Sequence, residues 1–171
     1  MFDYSLFIDF VERALREIEG EYYTTEFNSF YGYRGRLRNF GIFRGERFIR
    51  HNERGFAYEL YFKLKTFIQG QRENEPFFPE YFLQGEIKKM DIEQVVNHFG
   101  YRRLGGHFIP DMLFHVPSQN ANAFVIEIKA QPELVDIEIL YDLDKLSRFL
   151  LRFNYQKAIF IAVNISSQTI S

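Results

Sequence analysis

Apolar residues recur at helical spacing in three segments of the chain. The first covers residues 4 to 19, the second begins after Asn52 and runs to about Gln69, and the third extends from about Val135 to Phe153. This period is typical of an amphipathic helix, and Asn is a good N-cap. The pattern therefore predicts three helices, the second ending at Gly70. Their buried faces are predicted to contain Leu6, Phe7, Phe10, Val11, Ala14, Leu15 and Ile18; Phe56, Leu60, Leu64, Phe67 and Ile68; and Ile139, Leu140, Leu143, Leu146, Leu150 and Phe153.

Short apolar segments between and after these helices predict strands. With 171 residues, the chain is long enough for one domain. We expect an α/β fold with a mixed sheet, in the order helix, strand, strand, strand, helix, strand, behind an N-terminal helix. Residues 1–50 would form that helix and a basic, aromatic extension with brief strands, and residues 51–171 the core of a single globular unit. The predicted strands are Tyr81 to Ile87, His107 to Val116, Phe124 to Ala130 and Ala158 to Val163, and a short helix is predicted from Asp91 to Phe99.

Charged residues in two predicted strands indicate a candidate site. Side chains alternate along a strand, so Glu127 and Lys129 share one face, while the even-numbered residues of the segment from Phe124 to Ala130 point into an apolar core. A hairpin turn centred near residues 119 and 120 pairs residues whose numbers sum to about 239, which puts Asp111 across from that stretch. One carboxylate from each strand and one ammonium are therefore predicted to converge.

Two facing carboxylates repel each other unless a positive charge lies between them. Lys129 can neutralise one charge, and a divalent cation would neutralise more. Oxygen ligands without Cys or clustered His favour Mg²⁺ or Mn²⁺ over zinc. Because Mg²⁺ binds one or two carboxylates together with phosphate oxygens, the predicted pocket suits hydrolysis of a phosphodiester.

The same residues resemble a known family. Ile109-Pro110-Asp111, followed by Phe124-Val125-Ile126 and then Glu127-Ile128-Lys129, resembles the PD-(D/E)XK nuclease superfamily, which has the restriction-endonuclease-like fold. The order of predicted elements over about residues 52 to 164 is similar to the core of that fold. The resemblance implies a metal-dependent nuclease in which Asp111 and Glu127 bind Mg²⁺ or Mn²⁺ and Lys129 positions or activates the attacking water.

The resemblance also bears on the flanking helices and on partners. Many members use an acidic residue on the helix before the first core strand, which here implies Glu59 as a further metal ligand. A polar residue often follows on the helix after Glu-x-Lys, and Lys145 and Asp142 are both candidates for that position. Many enzymes of this fold cut as dimers, so a homodimer is compatible with the resemblance. The alternative is a catalytically inactive module of this fold that binds nucleic acid or protein.

Each candidate also has a plain structural interpretation. Glu59 is spaced for an i,i+4 ion pair with Lys63, and Asp111 is compatible with a strand start after proline. Glu127 and Lys129 are compatible with the solvated face of an edge strand, although their apolar neighbours favour a central strand, where paired charges need a reason. Four histidines share no metal-ligand spacing: His51, His98, His107 and His115.

A segment rich in arginine precedes the second helix. Tyrosines and phenylalanines are interleaved with seven arginines, and only Glu46 and Glu53 oppose them. Arginine binds phosphate and aromatic rings stack on bases, so the segment predicts a nucleic-acid surface, with DNA favoured; the alternative is packed aromatics beside solvated arginines. Because the net charge is -2, binding would have to come from this local patch. The predicted residues are Arg34, Arg36, Arg38, Arg44, Arg47, Arg50 and Arg54.

The composition excludes several classes of protein. Apolar residues make up 46% and charged residues 26%, which is typical of globular proteins and not of disordered or fibrous ones. The absence of cysteine excludes disulfides, cysteine-ligated zinc, iron–sulfur clusters and thiol nucleophiles. No apolar stretch approaches the ~18 residues of a membrane span, and no basic region precedes an apolar segment at the N-terminus. We therefore expect a cytoplasmic protein that does not bind membranes.

Overall fold

The computed structural model describes residues 3–22, 24–28, 47–74, 80–85, 109–117, 119, 121–130 and 136–163. Over these residues the fold is mixed α/β, with three α-helices, a four-stranded mixed sheet and a separate two-stranded sheet. The predicted fold class is therefore confirmed at the level of a mixed α/β fold. The predicted helix from Asp91 to Phe99 lies outside the described residues.

Helix α1 spans Tyr4–Glu17 and begins at a capping aspartate. The carboxylate of Asp3 accepts a hydrogen bond from the Ser5 N–H at 2.9 Å, which satisfies one of the N–H groups that a helix leaves open at its start. A 3₁₀ turn, Gly20–Tyr22, follows the helix. The buried residues of α1 are Phe7, Phe10, Val11 and Ala14, all within the predicted stripe.

Helix α2 spans Glu53–Gln71 and begins at the predicted N-cap, Asn52, whose side chain accepts from the Gly55 N–H at 3.0 Å. The prediction that Gly70 ends this helix is wrong. The helix continues through Gly70 to Gln71, and the Arg72 N–H still bonds to the Ile68 carbonyl at 3.1 Å. Glycine lowers helix stability but does not force an end when the chain can keep its hydrogen bonds.

The main sheet has the strand order β3-β4-β5-β6. Its first two pairings are antiparallel, while β5 and β6 are parallel because helix α3, Asp136–Phe153, joins them. The predicted order of three strands, a helix and a last strand is confirmed. The strands are β3 at Phe82–Gly85, β4 at Met112–Val116, β5 at Ala121–Ala130 and β6 at Tyr155–Val163; β1 at Thr24–Asn28 and β2 at Arg47–His51 form the separate antiparallel pair.

Helices cover both faces of the main sheet. On one face, α1 and α2 pack on the even-numbered side chains of β5, and the ring of Phe7 stacks on Phe114 and Phe124 at centroid distances of 4.4 and 4.5 Å. On the other face, α3 packs on Leu113 and Val125. β5 is therefore a central strand buried on both faces, and the alternation predicted for it is confirmed.

Helix α3 confirms part of its predicted buried face, since Leu146 and Phe153 are buried and Leu150 packs against the core. Leu140 and Leu143 were expected in the core, yet they are 60% and 43% exposed, so this part of the prediction is wrong. Asp142 instead faces the sheet and is 3% exposed. The physical reason is its ion pair with Lys129 of β5, which lies beside the apolar residues of α3 that pack on the sheet. None of the described helices has the length and apolar character that a membrane span requires.

Candidate active site

The site forms where β5 extends past the end of β4. Met112, the first residue of β4, pairs with Ile126, so the last four residues of β5 have no partner in β4. The predicted hairpin is confirmed, because β4 and β5 pair antiparallel. Continuing their register by one residue places Asp111 opposite Glu127. The N–H groups of the overhanging residues then need acceptors from elsewhere, because a buried N–H without a partner is costly.

Two carboxylates accept the hydrogen bonds that a longer β4 would accept from β5. Asp111 Oδ2 accepts from the Ile128 N–H at 2.7 Å, and Glu53 Oε2 accepts from the Ala130 N–H at 3.2 Å. Asp111 comes from the residue before β4, and Glu53 from the first turn of α2. Each carboxylate accepts this bond through one oxygen only. The end of β5 thus brings two acidic groups to the site, Asp111 near Glu127 and Glu53 near Lys129.

Glu127 is the most buried acidic group of the site. Its residue is 2% exposed, and its Oε1 atom has no hydrogen-bond partner among the described residues. Burial and the negative charge of Asp111 raise the pKa of Glu127 to about 8, although Lys145 opposes the shift. A buried carboxylate with an unused oxygen is costly, and a cation would relieve that cost.

Lys129 of β5 and Lys145 of α3 both contact Asp142, and Lys145 also contacts Glu127. Lys145 Nζ lies 2.6 Å from Glu127 Oε2 and 3.2 Å from Asp142 Oδ1, whereas Lys129 Nζ lies 3.4 Å from Asp142 Oδ2. Lys129 was expected to neutralise one of the strand carboxylates, but the counter-ion of Glu127 is Lys145. Both residues of α3 that the sequence left as alternatives, Asp142 and Lys145, are part of this alternating network.

Electrostatics keep both ammonium groups charged. Burial alone would lower the pKa of Lys129, but Asp142 and Glu53 outweigh it, and the pKa is raised. Burial acts in the same way on Lys145, and Glu127 outweighs it. The side chain of Lys129 is 25% exposed and that of Lys145 only 11%. Lys129 is therefore the ammonium that an incoming ligand can reach, and Lys145 is the inner counter-ion.

Asp111 accepts a hydrogen bond from the backbone of β5, and burial disfavours its ionised form. Burial raises its pKa, with a smaller contribution from Glu53, while the hydrogen bond from Ile128 and the charges of Lys145 and Lys129 oppose this. Asp111 also lines a cavity of about 280 Å³, together with Ala57, Tyr58, Tyr61, Gly85 and Met112. The cavity therefore lies between α2 and the start of β4, next to the site.

The α2 carboxylate that contacts β5 is Glu53, to which the sequence analysis gave no site role, whereas Glu59 forms the ion pair that was its plain structural interpretation. Glu59 Oε1 forms the i,i+4 ion pair with Lys63 at 3.3 Å, while Glu53 is the α2 carboxylate that reaches β5. Glu53 follows the capping Asn52, where an acidic residue also favours the helix dipole. That position was the only signal for Glu53 in the sequence, and it does not distinguish a capping residue from a site residue.

Most of the predicted nucleic-acid surface lies outside the description. Arg34, Arg36, Arg38 and Arg44 are not among the described residues, and the backbones of Arg47 and Arg50 lie in β2. Arg54 is exposed in the first turn of α2, next to Glu53. The arginine surface stays a prediction.

Within the described ranges, no group of three or more His, Asp or Glu side chains is already arranged to hold a metal ion. His115 is buried and contacts the side chain of Gln84 on the neighbouring strand β3.

No protein-family model matches this chain, and neither the search of curated proteins nor that of solved structures found a match. Function must therefore be argued from the site.

Proposed function

We propose that this chain is a metal-dependent nuclease of the restriction-endonuclease-like fold that hydrolyses phosphodiester bonds, with DNA as the favoured substrate and Mg²⁺ or Mn²⁺ as the cofactor. The observation that carries the proposal is the meeting of Asp111 and Glu127 at the overhang of β5, with the buried Glu127 Oε1 lacking a hydrogen-bond partner among the described residues. The negative charge of Asp111 is one of the causes that raise the pKa of Glu127.

The donor set fits a hard divalent cation. Asp111 and Glu127 supply carboxylate oxygens, and Glu53 presents a third carboxylate nearby through the same strand end. Mg²⁺ is commonly held by one or two carboxylates and completes its coordination with water and substrate phosphate, so a preformed cluster of three acidic groups is not required. When bound, the cation would polarise the phosphate and make the attacking water more acidic.

The lysines would have separate roles. Lys129 is the more exposed of the two, and Asp142 holds its ammonium 3.4 Å away on the α3 side. It can donate to the attacking water or to a phosphate oxygen, stabilising the negative charge that grows as water adds to phosphorus and the bond to the leaving oxygen breaks. Lys145 compensates Glu127 inside the network and does not need to touch substrate.

A cleavage assay on the purified full-length chain tests the proposal. Plasmid, duplex DNA, single-stranded DNA and RNA are incubated with Mg²⁺ or Mn²⁺, and EDTA is added in parallel. Asp111→Asn and Lys129→Met are expected to lower cleavage by about 100-fold or more, as removal of one transition-state contact does elsewhere. Arg16→Met is the control, since it removes a cation that is also paired with an acidic residue, Glu12, but lies on α1. Cleavage that persists in both site variants would refute the proposal.

The α2 carboxylates are compared in the same assay. If Glu53 completes the site, Glu53→Gln lowers cleavage and Glu59→Gln does not. The opposite result would return the metal-ligand role to Glu59, as the family resemblance implied. Titration of Mn²⁺ by calorimetry against the same two variants gives an independent measure, because loss of a ligand weakens the binding itself.

A second function is favoured by the completeness of the ion pairing. Lys145 compensates Glu127, and Asp142 compensates Lys129, so the charged cluster also serves as a support between α3 and β5. Such a network suits a catalytically inactive module that keeps the fold and binds nucleic acid or protein through other residues. Duplex binding without a heat of Mn²⁺ binding and without cleavage would support this function against the nuclease.

A further inference from the structure

Helix α2 carries cationic and aromatic side chains along one of its sides. The spacings between these residues are four, three and four positions, which keeps their side chains on one side of a helix. Their order is a cation, two aromatic rings and a second cation, over about 16 Å of helix. We call these residues the α2 stripe: Arg54, Tyr58, Tyr61 and Lys65.

The two rings of the α2 stripe line the cavity of about 280 Å³ beside the site. Tyr58 is 61% exposed, whereas Tyr61 is held against the sheet, because its hydroxyl donates to the Leu83 carbonyl oxygen at 3.3 Å. A side chain on Gly85, which also lines the cavity, would lie in ordinary contact with the Tyr61 ring, 3.9 Å from its nearest carbon. Glycine leaves that space to the cavity. The volume lies just below the about 300–1,000 Å³ of pockets for drug-sized ligands, so the cavity suits a single planar ring system.

The two cations of the α2 stripe suit a polyanion. Arg54 and Lys65 are both exposed, and Lys65 Nζ lies 5.7 Å from the centre of the Tyr61 ring, so one positive charge stands beside the cavity. Cations that follow a phosphate backbone, combined with aromatic rings on which bases stack, are typical of surfaces that bind single-stranded nucleic acid.

The acidic residues of α2 do not oppose these cations from within the α2 stripe. The helix contains two of them, Glu53 and Glu59. Glu53 bonds to the backbone of β5, and Glu59 pairs with Lys63. The stripe therefore has a net positive charge, which complements the phosphates of a strand.

From the α2 stripe we infer that the substrate of the proposed nuclease is an unpaired strand, which lies along α2 with one base stacked on Tyr58 in the cavity. The inference rests on the proposed function, since it names the substrate of that same site. Inside a duplex the faces of each base are covered by its neighbours, so Tyr58 can stack only on a base that has left the duplex. Because Asp111 belongs both to the cavity and to the site, a base held in the cavity keeps its strand next to the carboxylates.

Binding without cleavage tests the stacking. Fluorescence anisotropy is measured on the full-length chain with EDTA present, using three labelled probes of equal length: an oligothymidine, the same strand without bases, and a duplex. The wild type is expected to bind the oligothymidine about 10-fold more tightly than the abasic strand, as stacking of one base provides, and more tightly than the duplex. Tyr58→Leu should remove this preference, while Tyr58→Phe should retain it, because stacking requires the ring and not the hydroxyl. Phe62→Leu is the matched control, since Phe62 is 64% exposed on the same helix but lies outside the described lining of the cavity.

The salt dependence of binding separates the cations from the rings. Lys65→Gln is expected to make the slope of log affinity against log salt shallower by about 0.7, which corresponds to one phosphate contact of a single strand. Tyr58→Leu should weaken binding and leave the slope unchanged, since it removes no charge. A slope that is the same in Lys65→Gln and the wild type would contradict the contact between Lys65 and the strand.

The outcomes distinguish this inference from the proposed function. Equal affinity for the oligothymidine and the abasic strand, or a Tyr58→Leu variant that keeps the preference, would overturn the inference even if metal-dependent cleavage is observed. A wild type that binds none of the probes would also overturn it and would leave the α2 stripe to a protein partner. A preference that depends on Tyr58, without cleavage in Mg²⁺ or Mn²⁺, would support the stripe as a binding surface for single strands and refute the nuclease.

Discussion

Replacing Glu127 with glutamine tests whether the site holds a carboxyl group that resists ionisation. Glutamine keeps the shape of the side chain and removes only the titrating charge. In the folded chain, burial and Asp111 raise the pKa of Glu127 from 4.5 to about 8. Between these two pH values the folded chain binds a proton that the unfolded chain has released, so the wild type loses stability as pH rises through that window.

The expected magnitude follows from the size of the shift. Each pKa unit corresponds to about 1.4 kcal/mol, so the whole window is equivalent to about 5 kcal/mol of unfolding free energy. Glu127→Gln does not titrate, and its stability relative to the wild type should rise by that amount from below about pH 4.5 to above about pH 8. The variant also removes one partner of Lys145, but that cost is constant over this window because the pKa of Lys145 lies above it.

Urea unfolding of both proteins, from about pH 5 to about pH 9 with EDTA present, measures this difference. Glu12→Gln is the control, since it makes the same chemical change at an exposed carboxylate on α1, away from the site. A flat difference for Glu127→Gln as well would refute the argument, because Glu127 would then be an ordinary ionised carboxylate with no need for a further cation. Adding Mg²⁺ above about pH 8 should stabilise the wild type and leave Glu127→Gln unchanged, as a ligand of the folded state does.

Three further predictions concern the supports of the site. Asp111→Ala should cost about 1–3 kcal/mol of unfolding free energy by leaving the Ile128 N–H without its acceptor, whereas Asp111→Asn, which keeps an oxygen there, should cost less; urea unfolding and amide exchange at Ile128 measure both, and equal losses would contradict the bond. Lys145→Met should destabilise the protein by up to about 3–5 kcal/mol, and the loss should grow as pH rises above about 8, because wild-type Glu127 ionises there beside Lys145 and the variant offers it no counter-ion; a loss independent of pH would argue against the pair. Gly55→Ala should cost about 1–3 kcal/mol, because its Cβ would clash with the Tyr22 carbonyl oxygen. Gly70→Ala, where nothing lies within 4 Å, should stabilise α2 by about 0.5–1 kcal/mol in thermal or urea unfolding, and similar effects at both glycines would contradict this packing.

The sequence encodes the central part of the fold most clearly where the two faces of an element differ. The alternation along residues 124–130 placed Glu127 and Lys129 on one face of the strand and the even-numbered apolar residues on the other, and the structure confirms this. The start of β5 at Ala121 was not predicted because small and polar residues open that strand. They are held by tertiary bonds, such as the one that Asn122 donates to the Phe153 carbonyl. Local patterns carry little information about such bonds.

The buried face of α3 was predicted only in part because the helix has apolar residues all round. Leu146 and Phe153 are buried as predicted, whereas Leu140 and Leu143 are exposed and Phe149 and Asp142 are buried instead. The ion pairs of Asp142 and Lys145 with β5 accompany this rotation of the helix. Since no local signal weighs a buried ion pair against apolar burial, the exact rotation could not be decided from the helix alone.

Glu53 shows why the site itself was only partly predictable. Its partner, the Ala130 N–H, lies 77 positions away in the chain, and the bond exists only because β5 is longer than β4. Once both strand lengths are known, two N–H groups at the end of β5 have no acceptor in β4, and two other acceptors are needed. The acidic residues of the site can therefore be derived from sheet geometry before any enzyme is considered.

The acidic residues of the site differ in what they contribute to the fold. Asp111 and Glu53 would be acidic for structural reasons even in a protein without enzymatic activity, because they complete the hydrogen bonding of β5. Glu127 has no such role: it bonds to no N–H of the strand, and its cost is only partly compensated by Lys145. A purely structural network would be improved by an uncharged residue at this position. The charge on Glu127 is therefore the feature that most needs a function, and cation binding is the function that its surroundings suit.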